Sequence, residues 1–230
     1  MNSRVLIVDD DLQMSKGLGT LLMSRGYEVR TASDGDAALA ALQRWSPAAI
    51  LTALTTPHIS GIELCRQVRE TSNVPMIVVS ASADYASEVP ALDAGADDYL
   101  IRPYAAETLL ARLRAAIRRG PEPVDDAVIT LGDFALDFHE HRVRLRGQAV
   151  RLTPKEFDLF AFMARHPNRV LRHKTLLSAV WGEASEEQPE YLRVFVGQLR
   201  KKLESDPPNP RYLLTEPWVG YRFNPTGLTQ

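Results

Sequence analysis

The first half of the chain alternates short apolar runs with longer stretches in which apolar residues recur at helical spacing. Leu109, Leu110 and Leu113, for example, lie on one face of a predicted helix. The predicted strands are Val5–Val8, Val29–Ala32, Ala49–Leu54, Met76–Ser80 and Tyr99–Ile101. The predicted helices are Leu12–Arg25, Gly35–Trp45, Gly61–Thr71, Tyr85–Ala94 and Ala106–Arg119. Continuous apolar strands between helices predict an α/β domain with a doubly wound, five-stranded parallel sheet, whose ligands bind beyond the carboxyl ends of the strands.

The second half follows a different pattern. Residues 120–127 are rich in proline and acidic residues, which is typical of a linker and predicts domains at 1–119 and 128–226. Beyond it the predicted strands are Ile129–Leu136, His141–Leu145, Ala149–Leu152, Tyr212–Thr215 and Gly220–Phe223. The predicted helices are Pro154–Arg165, Lys174–Val180 and Glu190–Leu203. Thr153 is the predicted N-cap of the first of them, with Pro154 at the first helical position and Glu156 at the capping-box position. Strands, three helices and a closing hairpin predict a small α+β domain.

Composition narrows the class of protein. The chain has 230 residues, 45% hydrophobic and 24% charged, which is typical of globular domains. Its single cysteine, Cys65, excludes an intramolecular disulfide and a cysteine zinc site, and it fits a cytoplasmic location. The apolar runs are too short for a membrane helix or a signal peptide. The net charge of −2 gives no sign of nucleic-acid binding, so any such prediction must rest on local clusters of charge.

Polar residues cluster where the predicted parallel strands end. Asp9 and Asp10 follow the first strand, Ser80 ends the fourth and Arg102 follows the fifth. Two crowded carboxylates need a divalent cation or a positive side chain beside them. The alternative is that the acidic triplet, which includes Asp11, only caps the next helix.

These residues resemble the receiver domain of two-component response regulators over about residues 3–119. The resemblance rests on the acidic triplet, the Pro57–Gly61 loop, Ser80-Ala81, and the segments Gly95–Tyr99 and Arg102–Tyr104. It implies a strand-end aspartate that takes a phosphoryl group from a histidine kinase. It also implies an acidic pair that holds Mg²⁺ with that aspartate, a hydroxyl and a lysine at the phosphoryl group, and an aromatic reporter, here Tyr99.

The chain departs from this family at the reactive position. Ala53 stands where the family has its aspartate, and Arg102 stands where it has its lysine. With one carboxylate lost we expect no metal or other cofactor, and we expect a bidentate ion pair of Arg102 with Asp9 or Asp10 in its place. The neighbouring residues Leu51–Thr56 also depart, which favours natural drift over a single engineered substitution. Two alternatives stay open: another phosphoacceptor such as Thr52 or Thr55, or a ligand or partner protein that binds the vacated pocket.

The last predicted helix carries the clearest cluster of cations. Leu192, Phe195, Leu199 and Leu203 form a buried stripe, and other faces carry Arg193, Arg200, Lys201 and Lys202. Such a run can be a solvated face only. The context, however, resembles the winged-helix domain of OmpR/PhoB-type regulators over about residues 128–224, through segments that include Leu152–Phe157, Val180-Trp181 and Gly220–Phe223, and within that class the KdpE-like regulators.

This second resemblance implies that Glu190–Leu203 enters the major groove of DNA. The candidate DNA-binding residues are Arg193, Arg200, Lys201, Lys202, Trp181, Tyr191, Thr215 and Arg222, and for Trp181 a core position is an equal alternative. Gly182–Gln188 would face RNA polymerase. Pro217 and Trp218 replace a common Arg-Gly pair in the wing, which argues against an arginine in the minor groove.

The receiver resemblance also implies a homodimer through the fourth and fifth helices and the fifth strand. The charged candidates are Asp97, Asp98, Arg112 and Arg119, whereas Glu88 and Thr108 break one expected pair. The sequence therefore predicts a regulator that binds promoter DNA as a dimer, works without aspartyl phosphorylation and is not an enzyme. A sensor kinase and RNA polymerase are the other expected partners.

Overall fold

A computed structural model describes residues 3–81, 86–117, 128–182 and 189–228. The chain divides into two compact units, Met1–Ile117 and Arg118–Gln230. The predicted linker, residues 120–127, lies outside the described residues. Within the described part of the chain, no helix combines the length and the apolar character needed to cross a bilayer.

The first unit is the predicted α/β domain, with a parallel sheet in the order β2-β1-β3-β4-β5. Its strands are β1 Arg4–Val8, β2 Glu28–Ala32, β3 Ala49–Ala53, β4 Met76–Ser80 and β5 Asp98–Ile101. Its helices are α1 Leu12–Ser24, α2 Gly35–Trp45, α3 Gly61–Thr71, α4 Glu88–Asp93 and α5 Ala106–Ile117. The order reverses between β1 and β3, which places a crevice at the carboxyl ends of these two strands.

The buried strands of this sheet hold their ends in a fixed register. Every residue of β4 is buried, as are Val5–Val8 of β1, so both strands are covered on both faces. Val8 pairs with Thr52, and the next residues, Asp9 and Ala53, therefore lie side by side at the carboxyl edge of the sheet. The loop after β3 folds back onto the strand end, because a Cβ at Gly61 would lie 2.2 Å from the carbonyl oxygen of Ala53.

A buried ion pair holds the β5 side of the sheet to α3. Arg69 Nη2 donates to Asp97 Oδ2 at 2.6 Å, and the same carboxylate oxygen accepts from the backbone N–H of Met76 at 2.7 Å. The other guanidinium nitrogens donate to the carbonyl oxygens of Gly95 and Val74 at 2.9 and 2.6 Å. Asp97 is fully buried, so its charge depends on these partners.

The second unit is the predicted α+β domain, with one difference at its start. Its strands are β6 Val128–Leu131, β7 Phe134–Asp137, β8 Arg142–Leu145, β9 Gln148–Val150, β10 Val170–Arg172, β11 Leu213–Glu216 and β12 Gly220–Phe223. Its helices are α6 Pro154–Ala164, α7 His173–Trp181 and α8 Pro189–Leu203. The single strand predicted at Ile129–Leu136 is wrong: the chain turns at Gly132, whose φ of 56° allows a hairpin there.

Two antiparallel sheets flank the three helices of this unit. One has the order β6-β7-β8-β9, and the other has the order β10-β12-β11. The sequence does not predict the short strand β10, since its three residues carry no clear alternation. A complete capping box of Thr153 and Glu156 begins α6, as the sequence predicts.

We expect Arg69→Met to destabilise the first unit by about 3–5 kcal/mol, because it leaves the buried Asp97 carboxylate without its cation. Arg66→Met is a matched control one turn earlier on α3, where both partners of the Arg66–Glu63 pair are exposed. That control should change the free energy of unfolding little. Chemical denaturation of both variants measures the difference, and equal losses would contradict the role of the buried pair.

Candidate functional site

The carboxyl edge of the parallel sheet brings together three of the predicted site residues. Asp9 is 7% exposed at the end of β1, Ser80 is 1% exposed at the end of β4, and Arg102 follows β5. Asp10 is exposed beside them. Asp11 instead begins α1, since its side chain accepts from the backbone N–H groups of Gln13 and Met14. The capping alternative is therefore true of Asp11, while Asp9 has a different partner.

That partner is Arg102. Its Nη2 donates to Asp9 Oδ2 at 3.1 Å, and Asp9 Oδ1 accepts from the backbone N–H of Asp11 at 3.0 Å. The bidentate geometry expected from the sequence is wrong, because Arg102 Nε is buried and has no hydrogen-bond partner among the described residues. Burial alone would lower the pKa of Arg102, but hydrogen bonds with Asp9 and Tyr104 raise it above its usual value. The arginine therefore stays charged beside Asp9.

The donor set does not fit Mg²⁺ as the receiver family holds it. Ala53 at the end of β3 has a methyl side chain that offers no ligand, and both oxygens of Asp9 already accept hydrogen bonds from within the chain. Within the described ranges, no three His, Cys, Asp or Glu side chains form a group able to hold a metal ion. Mg²⁺ needs near-octahedral oxygen ligands, and the Arg102 cation lies against the remaining carboxylate.

The hydroxyls near the end of β3 differ in their access to solvent. Thr52 is fully buried, and its hydroxyl donates to the carbonyl oxygen of Ala53 at 3.1 Å. Thr56 donates to the carbonyl oxygen of Ile59, whereas Thr55 is exposed on the loop. Tyr99, the expected reporter, is 2% exposed on β5. Burial argues against Thr52 as a substitute phosphoacceptor.

The second candidate surface is the exposed face of α8. Arg193 and Lys201 are exposed eight residues apart, which places them on one side of the helix. Gly197 lies between them, and a Cβ there would meet nothing within 4 Å. A glycine inside a helix costs about 1 kcal/mol relative to alanine, and no packing within the described chain requires it.

Arg200 turns inward onto the C-terminal hairpin. Its guanidinium donates twice to the carbonyl oxygen of Leu213, at 2.6 and 3.0 Å, and once to Thr215 Oγ1 at 2.8 Å. Burial lowers the pKa of the Arg200 guanidinium. Burial raises the pKa of the Tyr221 hydroxyl on β12, and the positive charges of Arg200 and Arg193 partly oppose that rise. Arg200 and Thr215 thus join α8 to β11, and the groups predicted to contact DNA are used in part to position the helix.

Two other predicted DNA-binding cations also have partners inside the unit. Lys202 Nζ donates to Glu156 Oε2 at 2.5 Å, and that carboxylate is the one that caps α6. Arg222 Nε donates to Glu216 Oε1 at 2.7 Å across the hairpin. No local pattern in the sequence signals the Lys202–Glu156 contact, because the two residues are 46 positions apart.

Two predicted DNA contacts are core residues. Trp181 is 2% exposed and packs with its ring centroid 5.8 Å from that of Tyr191 and 5.0 Å from that of Phe195. Tyr191 is fully buried. The structure therefore supports the core alternative for Trp181. The prediction that Tyr191 contacts DNA is wrong, because this residue of α8 faces the interior of the domain.

The predicted dimer contacts are corrected as well. Asp97 pairs with Arg69, and Asp98 pairs with Arg112, in both cases within the same chain. The three predicted dimer residues among these, Asp97, Asp98 and Arg112, are at most 5% exposed. They are internal ion pairs rather than exposed charges that await a second copy. Arg119 and most of the predicted RNA polymerase loop, residues 183–188, lie outside the described residues.

Comparison with known families agrees with both units. Residues 5–114 match the response regulator receiver domain, and residues 147–223 match the family described as transcriptional regulatory protein, C terminal. Among solved structures, a mutant of RitR has the same fold: the match covers 97% of this chain and 99% of the RitR chain, with a TM-score of 0.78 and 23% identity. The match to the response regulator DrrB of Thermotoga maritima, an OmpR/PhoB homologue, covers 97% of this chain and 100% of the DrrB chain, with a TM-score of 0.52 and 29% identity.

Two relatives match over nearly their whole lengths. The transcriptional regulatory protein KdpE of Mycobacterium tuberculosis is 41% identical over 221 residues, covering 95% of this chain and 98% of its own. The DNA-binding response regulator MtrA of Mycolicibacterium smegmatis is 37% identical over 226 residues, covering 98% of each. With both domains matched and this identity over both, the chain belongs to the OmpR/PhoB family of DNA-binding two-component response regulators.

Proposed function

We propose that this regulator binds promoter DNA in a manner that does not depend on aspartyl phosphorylation. The observation that carries the proposal is the contact between Arg102 and Asp9 beside Ala53. The methyl group of Ala53 cannot attack a phosphoryl group, since it has no lone pair. The arginine supplies the positive charge that a divalent cation supplies in the receiver family.

The local charges support this proposal. Asp9 and Asp10 carry two negative charges and Arg102 one positive charge, so the strand ends keep a single net negative charge without any ion. Asp9 is 8% exposed and Arg102 20% exposed as side chains, and a half-buried pair of this kind is screened less by salt than a surface pair. An incoming phosphoryl group would meet one net negative charge and no carboxylate nucleophile at position 53.

The proposal predicts that the full chain gains no mass when incubated with Mg²⁺ and a small phosphodonor. Intact-protein mass spectrometry in neutral and acidic buffer detects both acid-stable and acid-labile adducts. A matched double variant, Ala53→Asp with Arg102→Lys, returns the carboxylate and the lysine of the receiver family and serves as the positive control. A gain of one phosphoryl group by the unaltered chain would overturn the proposal, and mapping the adduct to Thr55 would identify a substitute acceptor.

For the DNA-binding unit, we propose that Arg193 and Lys201 contact DNA directly and that Arg200 positions α8. Arg193 and Lys201 are exposed on one side of α8, whereas Arg200 is held by Leu213 and Thr215. Gly197 supports the same face, because the absence of a side chain allows DNA to approach the helix backbone closely. Lys202 and Arg222 contribute mainly through their internal ion pairs.

We expect Arg193→Ala to cost about 1–3 kcal/mol of specific binding if it reads a base, or to lower the salt slope by about one if it contacts a phosphate. Arg200→Ala should weaken binding and also lower the melting temperature, since it removes three hydrogen bonds to the hairpin. Salt-dependent DNA titrations and thermal unfolding separate the two roles. An Arg193→Ala variant with unchanged affinity and salt slope would remove this residue from the interface.

We also propose a homodimer that forms without a phosphoryl group, with RNA polymerase as a further partner and the cytoplasm as the location. Because Asp98 and Arg112 pair within one chain, association must use other groups on the face formed by α4, β5 and α5. Val89 on α4 is 40% exposed there and offers an apolar contact.

Analytical ultracentrifugation of the full chain tests this pairing. We expect a concentration-dependent dimer whose dissociation constant is the same with and without phosphodonor and Mg²⁺. Val89→Asp should weaken it, whereas Val128→Asp, which alters an exposed valine of the other unit, should not. A chain that stays monomeric until phosphodonor is added would contradict the proposal.

A further inference from the structure

The carboxylate of Glu204 accepts three backbone N–H groups at the base of the C-terminal hairpin. Glu204 directly follows α8, and its own N–H donates to the carbonyl oxygen of Arg200 at 2.9 Å. Its Oε1 accepts from the N–H of Tyr212 at 2.9 Å and of Leu213 at 2.8 Å, and its Oε2 accepts from the N–H of Arg211 at 2.9 Å. A charged group therefore joins the end of α8 to the start of β11.

This position of an acid is unfavourable by the rules of an isolated helix. The C-terminal end of a helix carries partial negative charge, which favours cations such as Arg200, Lys201 and Lys202 and disfavours a carboxylate. The chain has no other acid between Glu190 and Glu204. A residue that opposes the local preference needs a tertiary reason, and the three N–H groups of the hairpin provide it.

Arg200 and Glu204 hold the same residue of β11 through opposite charges. Leu213 donates its N–H to Glu204, and its carbonyl oxygen accepts twice from Arg200, at 2.6 and 3.0 Å. The two side chains are four residues apart, about one helical turn, so they reach the hairpin from the same side of α8. Hydrogen bonds to charged groups are stronger than those between neutral groups, so this double contact fixes the helix end relative to the strand.

The segment between these contacts is stiff. Asn209 donates to Asp206 through its backbone N–H at 3.1 Å and through its side-chain amide at 2.9 Å. The segment 205–210 also contains three prolines, Pro207, Pro208 and Pro210. Proline restricts the backbone and leaves fewer conformations to lose on folding. Glu204 closes this segment into a ring, and the end of α8 and the base of the hairpin become one rigid corner.

A small rotation at this corner has a large effect at the other end of α8. Arg193 precedes Glu204 by eleven residues, which is about 16 Å along a helix at about 1.5 Å per residue. A tilt of about 5° at Glu204 therefore moves Arg193 by about 1.4 Å. The donor–acceptor distance of an N–H···O bond ranges only from about 2.7 to 3.2 Å, so a shift of this size breaks a contact with a base or a phosphate.

We propose that Glu204 is a positioning residue for DNA binding, which sets the orientation of α8 without touching DNA itself. This inference rests on the proposed contacts of Arg193 and Lys201 with DNA, and it names the group that holds the helix for them. Glu204 acts through the N–H groups of the hairpin base, whereas Arg200 acts through the carbonyl oxygen of Leu213. Direct contact of a carboxylate with the phosphate backbone would be repulsive.

The charge of Glu204 gives the test a definite sign. Removing a carboxylate close to a polyanion increases electrostatic attraction, so without a positioning role its neutralisation should leave DNA binding equal or tighter. We expect the opposite for a specific site. Glu204→Ala should weaken binding about tenfold, and Glu204→Gln, which keeps one accepting oxygen, should weaken it about threefold.

Two duplexes separate orientation from folding. One is selected from a random library for tight binding to the full chain, and the other is a scrambled duplex of the same composition. Anisotropy titrations with both should show that the Glu204 variants lose affinity for the selected duplex while their affinity for the scrambled duplex stays equal or rises. Equal losses for both duplexes would reflect a smaller folded fraction and would overturn the positioning role.

Asp133→Asn is a matched control, because it also converts a hydrogen-bonding carboxylate into an amide. Asp133 Oδ2 accepts from Nη2 and Nε of Arg146 at 3.0 and 3.1 Å and from the hydroxyl of Tyr212. Asp133 and Arg146 lie in turns of the first sheet of this unit, outside α8. This variant should melt at a lower temperature and bind both duplexes as the unaltered chain does. A loss of specific affinity equal to that of Glu204→Gln would contradict the inference.

A spectroscopic measurement follows the orientation of α8 directly. Cys65 is fully buried, so spin labels attach to introduced cysteines, here Arg193→Cys on α8 and Trp218→Cys on the hairpin. In the free full chain, Glu204→Ala should broaden the distance distribution or shift it by about 1–2 Å, the displacement expected from a tilt of a few degrees. An unchanged distribution would overturn the role of Glu204.

Arg193→Ala distinguishes failure of this inference from failure of the proposed DNA contacts. If Arg193→Ala weakens binding of the selected duplex while both Glu204 variants bind it as tightly as the unaltered chain, the positioning role is wrong and the contact of Arg193 stands. If none of the three variants changes this affinity, the proposed contacts of α8 and the role of Glu204 are both wrong.

Discussion

The contact between Arg102 and Asp9 sets the chemistry of the first unit. It joins the ends of β1 and β5 across the carboxyl edge of a sheet whose central strands are buried. A carboxylate in that position requires a positive partner, and the arginine provides one from within the chain. In the proposed function Ala53 and Arg102 act together, since the methyl group offers no nucleophile and the arginine takes the place of a divalent cation.

The second unit uses its cations in a similar way. Arg200, Lys202 and Arg222 each bind an oxygen of the same unit. The first two contacts fix α8 against the hairpin and against the start of α6, and the third joins the two strands of the hairpin. In the proposed function, the surface that contacts DNA is a small exposed set around Arg193, Gly197 and Lys201. A rigid helix with few direct contacts loses less conformational entropy on binding than a mobile one.

The sequence is sufficient to predict the architecture and insufficient for many side-chain roles. Apolar runs and helical spacing predict the five-stranded parallel sheet, and Thr153 with Glu156 predicts the start of α6. For Tyr191 and Arg200 the sequence favours DNA contact, because position on a helix does not reveal which face a neighbouring strand covers. Lys202 finds its partner 46 residues away, and such contacts depend on tertiary packing that local patterns do not contain.

The most direct test of phosphorylation independence is the affinity of the full chain for a promoter duplex, measured with and without prior treatment by its cognate kinase and ATP. If Arg102 and Asp9 keep the receiver in one state, the two dissociation constants should agree within error. A rise in affinity of about tenfold or more after kinase treatment, a difference of about 1.4 kcal/mol, would show instead that the receiver still switches.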